Sequence, residues 1–375
     1  MLPFRSRSKK YSSFPDEILA LLYRINSLEV SLSHANARRS EKAGLMHFSR
    51  EMGSALVMAL IAIVYVIQAF KIPTGSMEDS LLVGDFLLGL KFIYGAPVLP
   101  FSQELGITQR LPAITQPKQG DVIIFRYPGS DKKDYIKRCV AGPGSVVQVK
   151  GRQLLIDGKA LVPPPRGKFL NNGQLDPRIT EFKPLRVPKK GDAIRTDSLD
   201  TREFVFLKHL IKQENPKINM KTDFQLYING EFSNQQIVSI IEPISGREYP
   251  VPFNDLRFEY DDWTHLDNLL TMVNNSFPGK DVVIRKLIYI NGKPIDEYKV
   301  KYDNYFMMGD NRDNSLDSRY WGFLNHNYIK AKAFILYFSL DKDTPYWQLP
   351  LKIRWDRIGK LIRSWDGLAP ATAVK

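Results

Sequence analysis

The sequence predicts a mainly β protein with antiparallel sheets, preceded by an N-terminal amphipathic helix and one transmembrane helix. Three observations lead there. The first is a recurring hairpin signature in Leu154-Leu155-Ile156-Asp157-Gly158-Lys159, Leu226-Tyr227-Ile228-Asn229-Gly230-Glu231 and Ile288-Tyr289-Ile290-Asn291-Gly292-Lys293. Each runs a strand into Asp-Gly or Asn-Gly, the pair that tolerates positive φ in a type I′ turn. The likeness is local turn chemistry and does not extend to a longer repeat. The second is the stretch beyond residue 71, where short apolar runs are broken by Gly, Pro, Asn and Asp. The third is the uncharged run 53–70, GSALVMALIAIVYVIQAF. At about 1.5 Å per residue it covers roughly 27 Å as a helix, near the hydrocarbon thickness of a bilayer.

In chain order, residues 1–52 read as a cytoplasmic segment with a basic, Ser-rich start. Within it Ile18, Leu21, Leu22, Ile25 and Leu28 form a helical stripe over 16–30, which suits a membrane surface, a partner or an ordinary amphipathic helix. Residues 53–70 follow as an uncleaved anchor, since no small-x-small site trails the apolar run. Before the anchor stand nine Lys/Arg against five Asp/Glu, whereas Lys71 is the one basic residue in 71–90. That asymmetry keeps the N-terminus in the cytoplasm and exports the rest. A β core is expected over 71–150 and 281–345, with a β-rich insertion at 151–280 carrying long loops in 163–225, and a closing strand at 329–340. A basic tail, 346–375, carries Trp347, Trp355 and Trp365, residues that suit a membrane interface. The lone Cys139 needs no intrachain partner in an oxidising compartment and reads as a small core residue.

The 375 residues are 43% apolar, which excludes wholesale disorder. The net charge of +13 fits either nucleic acid or an anionic membrane. Lack of a dense aromatic-basic patch argues against nucleic acid.

The densest chemistry lies in 304–319, NYFMMGDNRDNSLDSR, where an apolar strand enters a polar turn. Asp, Asn and Ser bond their own backbone in tight turns and Arg forks onto carboxylates, so the turn reads as a network that holds something else in place. Asp310, Asp313 and Asp317 lack a regular calcium-loop spacing, and no metal or other cofactor is expected. Upstream, Ser76 sits on a Gly-flanked turn just past the anchor. A serine nucleophile needs a base. The five histidines, His34, His47, His209, His265 and His326, form no dense motif, so a Ser-His-Asp triad lacks support. Lysine can serve instead, provided burial keeps it deprotonated. Lys137 lies in the strand Tyr135-Ile136-Lys137-Arg138-Cys139-Val140-Ala141. Alternation puts it on the face of Tyr135 and Cys139, so one of Lys137 and Arg138 can point inward while the other meets solvent. On the residues alone, a surface lysine on an edge strand is the favoured reading.

Four blocks in order resemble the bacterial type I signal peptidases, also called leader peptidases, which are membrane-anchored Ser-Lys endopeptidases. They are Ile72-Pro73-Thr74-Gly75-Ser76-Met77 with Leu81 and Gly84-Asp85, then Gly120-Asp121-Val122-Ile123-Ile124-Phe125, then Asp134-Tyr135-Ile136-Lys137-Arg138 with Gly142-Pro143-Gly144, and finally Gly309 to Arg319 continuing to Gly322. The resemblance implies the signal-peptidase type of β fold and the following roles. Ser76 is the nucleophile and Lys137 the general base. The Ser76 N–H and the Thr74 hydroxyl form the oxyanion hole. Ser315 orients the Lys137 amine, with Asp317 and Arg319 paired behind it. Ile72, Pro73, Met77, Leu81, Tyr135 and Ile136 line shallow pockets for small side chains.

Two departures stand out. Glu78-Asp79-Ser80 replaces a family stretch that usually carries Pro and a hydroxyl, which predicts a looser or more acidic turn, and Thr74 stands where many members have Ser. The expected partners are signal peptides of secreted precursors and membrane lipid, with the translocation machinery a further candidate. The expected site of action is the outer face of the bacterial inner (plasma) membrane. The rival readings are a membrane-tethered, non-catalytic binding or scaffold protein of the same fold, and a self-cleaving Ser-Lys repressor, for which residues 1–52 offer no convincing DNA-binding module.

Overall fold

The computed structural model describes residues 23–25, 27, 43–78, 80–98, 109–129, 133–162, 180–241 and 246–364. Most of the 16–30 stripe, residues 163–179 and Trp365 lie outside them. The chain forms two compact units, Met1–Ala62 and Ile63–Lys375. In the first, helix α1 (Ala43–Ile61) leaves large apolar side chains in the open, among them Met52, Leu56 and Met58 at 59–66% exposure.

The expected transmembrane helix over 53–70 is corrected in its extent. Among the described residues no helix is long and apolar enough to cross a membrane. Helix α1 stops at Ile61 and carries Arg50 and Glu51 inside it. A π-helical turn follows at Ala62–Val66, and the rest of the run is strand β1 (Ile67–Lys71). These five residues have an antiparallel partner, from Ile67 opposite Leu90 to Lys71 opposite Phe86. The ladder satisfies the backbone groups that a longer helix would otherwise pair internally, and β-branched and aromatic side chains suit it.

The second unit is built on a seven-stranded antiparallel sheet. Its strands are β1, β2 (Asp85–Leu90), β3 (Val122–Arg126), β4 (Asp134–Ala141), β5 (Asn304–Met308), β6 (Leu324–Asn325) and β7 (Ile329–Ser339). Their spatial order is β1-β2-β7-β3-β4-β5-β6. Ile72, Met77, Leu81, Leu87, Val122 and Ile124 form one buried cluster on this sheet, and Tyr94, Phe125, Cys139, Tyr305 and Trp321 belong to another. Burial raises the Cys139 thiol pKa well above its ordinary value, which leaves it an inert core group.

A four-stranded sheet built from Val146–Lys150, Gln153–Ile156, Lys159–Ala160 and Glu181–Arg186 packs its apolar side against Val140, Phe306 and Met308. Beyond it lies a third sheet, whose centre pairs Met220–Ile228 with Val282–Ile290 over nine residues. Helices α2 (Thr201–Glu214) and α3 (Trp263–Asn275) cover it, and Leu210, Leu226, Val273 and Ile288 join a common core. Asp200 and Glu203 close a capping box at the start of α2. The three expected hairpins are present, with Asp157, Asn229 and Asn291 at φ of 51–53° and a left-handed Gly after each. The pairing also moves a boundary. Val282–Ile290 belongs to the inserted sheet, so the chain re-enters the core sheet at Asn304 and not near 281.

The described part of the expected basic tail, 346–364, is bridged to the core sheet. Leu340 bridges Ile353 and Ile335 bridges Leu361, although Trp347 and Trp355 stay 80% and 65% exposed. Arg357 reaches into the loop that follows Ser76. Its Nε and Nη2 donate to Asp85 Oδ1 and Oδ2 at 2.9 and 2.6 Å, and Nη2 also donates to the Ser80 carbonyl at 3.2 Å. Asp85 Oδ2 in turn accepts the Leu82 N–H at 2.8 Å. Because Asp85 is fully buried, Arg357→Ala leaves a carboxylate without its cation. Urea denaturation should show about 3 kcal/mol of lost stability, and a loss of only a few tenths would contradict this reading of the pair.

Candidate active site

The loop between β1 and β2 is closed at its base by Ile72 N–H to Asp85 carbonyl and Gly84 N–H to Ile72 carbonyl, at 2.8 and 3.1 Å. At its crest Gly75–Met77 makes a 3₁₀ turn. Met77 is driven fully into the core, and this anchors the turn and leaves Ser76 at the surface of that core, 9% exposed. Of the following turn, expected to be looser or more acidic, Asp79 lies outside the described residues, and its described residues are hydrogen-bonded. Glu78 N–H bonds to Gly75 carbonyl at 2.9 Å and Leu81 N–H to Met77 carbonyl at 2.7 Å.

β4 brings the second group. Lys137 is 3% exposed, and its Nζ lies 2.5 Å from Ser76 Oγ. Burial lowers the amine to about 8 from its ordinary 10.5, against the opposing pull of Asp317 and Asp310. Nζ also stands 5.5 Å from the centre of the Tyr135 ring. The expected division between an inward Lys137 and a solvated Arg138 is corrected, since Arg138 is only 5% exposed. On the other face its guanidinium holds Asp310 by two hydrogen bonds of 2.8 and 2.6 Å and gives a third to the Gly120 carbonyl at 2.7 Å. Such pairing allows a charge to be buried.

The polar turn wraps this pair. Asn311 N–H donates to the Ser76 carbonyl at 3.1 Å, while its Nδ2 donates to the Gly75 carbonyl at 3.1 Å and to Glu78 Oε2 at 3.4 Å. Gly309 is held to this residue type by space: a Cβ there would stand 2.5 Å from the Ser76 carbonyl oxygen and collide with Ser315 Oγ. Arg319 clamps Asp317 with bonds of 2.8 and 2.9 Å and caps the Arg312 carbonyl at 2.6 Å. Burial pushes the Asp317 carboxyl up, but Arg319 outweighs it and the group sits below the usual range. The expected bond from Ser315 to the Lys137 amine is absent. Ser315 Oγ stands beside Asp317 without reaching hydrogen-bond geometry, and it has no partner among the described residues. The other carboxylates of the turn also carry arginines, Asp310 with Arg138 and Asp313 with Arg152.

A cleft of about 610 Å³ opens over the pair. Of the residues expected to line it, Ile72, Pro73, Thr74, Ser76, Tyr135, Ile136 and Lys137 do so. Met77 and Leu81 do not: they are 0% and 2% exposed, packed in the core beneath the turn. The sequence reading missed Phe70, Asp134, Asn314 and Leu316, which also face the cleft. Phe70 and Asp134 continue the two walls, and strand alternation from Ile72 and Ile136 points to them; nothing local marks Leu316. Among the described residues, one edge of β4 has no strand paired along it here. Residues 134–138 pair with β3 on one side, while β5 takes up the other side only from Arg138 onward.

With this geometry in view, the profile of the family described as signal peptidase, peptidase S26, matches residues 45–182 and 176–338. The chain belongs to this family. It is thus a hydrolase of the serine peptidase kind. The signal peptidase I of Buchnera aphidicola subsp. Acyrthosiphon pisum is 28% identical over 347 residues, 90% of each chain. That of Helicobacter pylori strain J99 is 25% identical, over 83% of this chain and 91% of its own. A crystal structure of a signal peptidase I from Enterococcus faecalis V583 is 14% identical and covers 59% of this chain and 98% of its own, with a TM-score of 0.20.

Burying Lys137 has a measurable stability cost. An amine that titrates near 8 when folded and near 10.5 when unfolded carries its full penalty below about pH 8, and the penalty fades as pH rises toward 10.5. Lys137→Met should therefore gain about 3 kcal/mol over the wild type at pH 7, with the gain largely gone by pH 10.5, as read by denaturant titration at both pH values. A gain that does not vary with pH would contradict the depressed amine.

Proposed function

We propose that the chain is a membrane-tethered serine endopeptidase that removes signal peptides from exported precursors after small-x-small motifs. The observation that carries this reading is the buried amine of Lys137 within hydrogen-bond reach of Ser76 Oγ, under a cleft flanked by an open strand edge. A precursor binds extended between residues 70–76 and 134–137, its backbone adding to the free edge of β4. Ile72, Pro73, Tyr135 and Ile136 frame pockets too shallow for large side chains. Neutral Lys137 takes the Ser76 proton as Oγ attacks the scissile carbonyl, then delivers it to the leaving amine. The Ser76 N–H and the Thr74 hydroxyl receive the developing oxyanion. A water that gives its proton to Lys137 then releases the acyl group. Asp317 and Arg319 hold the turn that packs against the Ser76 turn.

The same reading places α1 in lipid. Its apolar side chains are exposed where a water-soluble helix would bury one face, and basic residues predominate ahead of it. The N-terminal segment then lies in the cytoplasm and the catalytic unit on the outer side of the inner (plasma) membrane, within reach of the translocation machinery and of the precursors it delivers.

Ser76→Ala and Lys137→Ala should each lower cleavage of a precursor at least about a thousandfold, while Thr74→Val lowers kcat by roughly a hundredfold with little change in KM. In the wild type kcat/KM should climb with pH to a plateau above about 8. Full cleavage by either dyad variant, or a flat profile between pH 6 and 10, would refute the mechanism. For the tether, the full chain should float with lipid vesicles and Leu56→Asp/Leu60→Asp should not, since a charge at the centre of a membrane helix costs about 3 kcal/mol; equal flotation of both proteins would remove α1 from the bilayer.

A further inference from the structure

A second concavity of about 530 Å³ opens beside the cleft, within the roughly 300–1,000 Å³ typical of ligand sites. Tyr127 and Gly129 of the turn after β3, His209 and Lys212 of α2, and Tyr320 and Trp321 beyond the polar turn build most of it. Leu316 lines both concavities. It is 47% exposed although its neighbours Ser315 and Asp317 are buried, so an apolar ridge is left in water between two hollows. The aromatic wall is continuous across that ridge. Tyr135 of the cleft stacks on Tyr127 at 4.6 Å, and Tyr127 meets Trp321 edge-on at 6.1 Å.

The opposite wall is tied to the core. His209 Nδ1 donates to the Trp321 carbonyl at 3.1 Å, and its Nε2 faces Asp261 Oδ1 at 3.4 Å. Lys208 Nζ donates to the Tyr260 carbonyl at 2.6 Å, and Gln213 Nε2 to the Phe323 carbonyl at 2.8 Å. Helix α2 is thus bonded to Trp321 and Phe323, just past the polar turn, and to Tyr260 ahead of α3, so this wall of the hollow is held in place. Its chemistry is an aromatic floor with a rim of both charges, from Lys212 on one side and Asp261 and Asp262 on the other, with the His209 imidazole between them. Such a floor suits a flat apolar group, and a mixed rim suits a peptide main chain better than it suits a free ion of either sign.

We infer that this hollow is a second subsite for the precursor, taking a large apolar or aromatic side chain a few residues from the scissile bond while the peptide crosses Leu316. The inference rests on the proteolytic reading above. It gives the inserted part of the chain a share in substrate choice, because α2 supplies one wall. The pockets beside Ser76 select small side chains, and this one selects a large side chain at a distance, so the two together read a longer stretch than the cleft can.

The test uses the full chain in detergent and two quenched-fluorescence peptides. One is confined to the cleft, and the other is extended on both sides, with a single Trp moved through successive positions. Lys212 is exposed on α2, so Lys212→Trp fills the hollow from its rim without entering the core, and Lys212→Ala leaves it open. In the wild type one Trp position should lower KM. Lys212→Trp should raise KM for that peptide about tenfold with kcat within about twofold, the short peptide should be cut as before, and Lys212→Ala, which leaves the hollow open but removes one rim charge, should raise KM for that peptide no more than about threefold. Unchanged KM for every extended peptide in Lys212→Trp would overturn the subsite, as would an equal loss on both peptides. A wild type that cuts neither peptide would refute the proteolytic reading itself, and the subsite with it.

Discussion

A lysine amine must be kept out of water beside a serine hydroxyl, and most of the second unit follows from that constraint. Burial alone would only discharge the amine; it would not place it. Placement comes from two non-adjacent pieces of chain, the 3₁₀ turn pinned by Met77 and the strand β4, brought within 2.5 Å of each other at Ser76 and Lys137. The charges nearby are cancelled locally. Arg138 takes Asp310 and Arg319 takes Asp317, each through two hydrogen bonds. Left unpaired, either carboxylate would hold a proton on Lys137. The paired arginines let the amine titrate at about 8 in a region rich in formal charge.

The same pairing explains how a polar turn can be a core element. Asp310, Asp317 and Arg319 are all at most 1% exposed, a burial that polar groups reach when their hydrogen bonds are met inside. Asn311 spends its donors on the Ser76 turn, and Gly309 lets the two turns approach closely enough for those bonds to form. The contact of Ser76 with Lys137 thus lies where two loops more than two hundred residues apart in sequence meet, neither of which is shaped by its own residues alone.

Much of this was legible in the residues. Asn-Gly and Asp-Gly pairs announced hairpins that are present with left-handed φ at Asp157, Asn229 and Asn291, because that signal is local. The meeting of Ser76 with Lys137 could be read from motif order and from the need for a buried base. What escaped depended on neighbours that no local pattern reveals. The run 53–70 is apolar enough for a membrane helix, yet its last residues find a partner in β2 and become strand. Arg138 looked like a solvent-facing residue until Asp310, 172 positions away, supplied its partner. Met77 and Leu81 are apolar beside a nucleophile, a description that fits a pocket wall and a core anchor equally well. Leu316 reads as one apolar residue in a polar turn, and only the placement of α2 shows that it divides two hollows.

The bond between Arg357 and Asp85 has a consequence for when the enzyme becomes an enzyme. It joins positions 272 residues apart and closes the loop that carries Ser76, so the loop's final shape depends on chain made long after it. Contacts of such long separation form late in folding. A ribosome releasing this polypeptide exposes the serine early, but the framework that aims it is complete only when the last strand has been covered by the segment beyond it. Synthesis from one end to the other therefore sets a delay between making a protease and arming it.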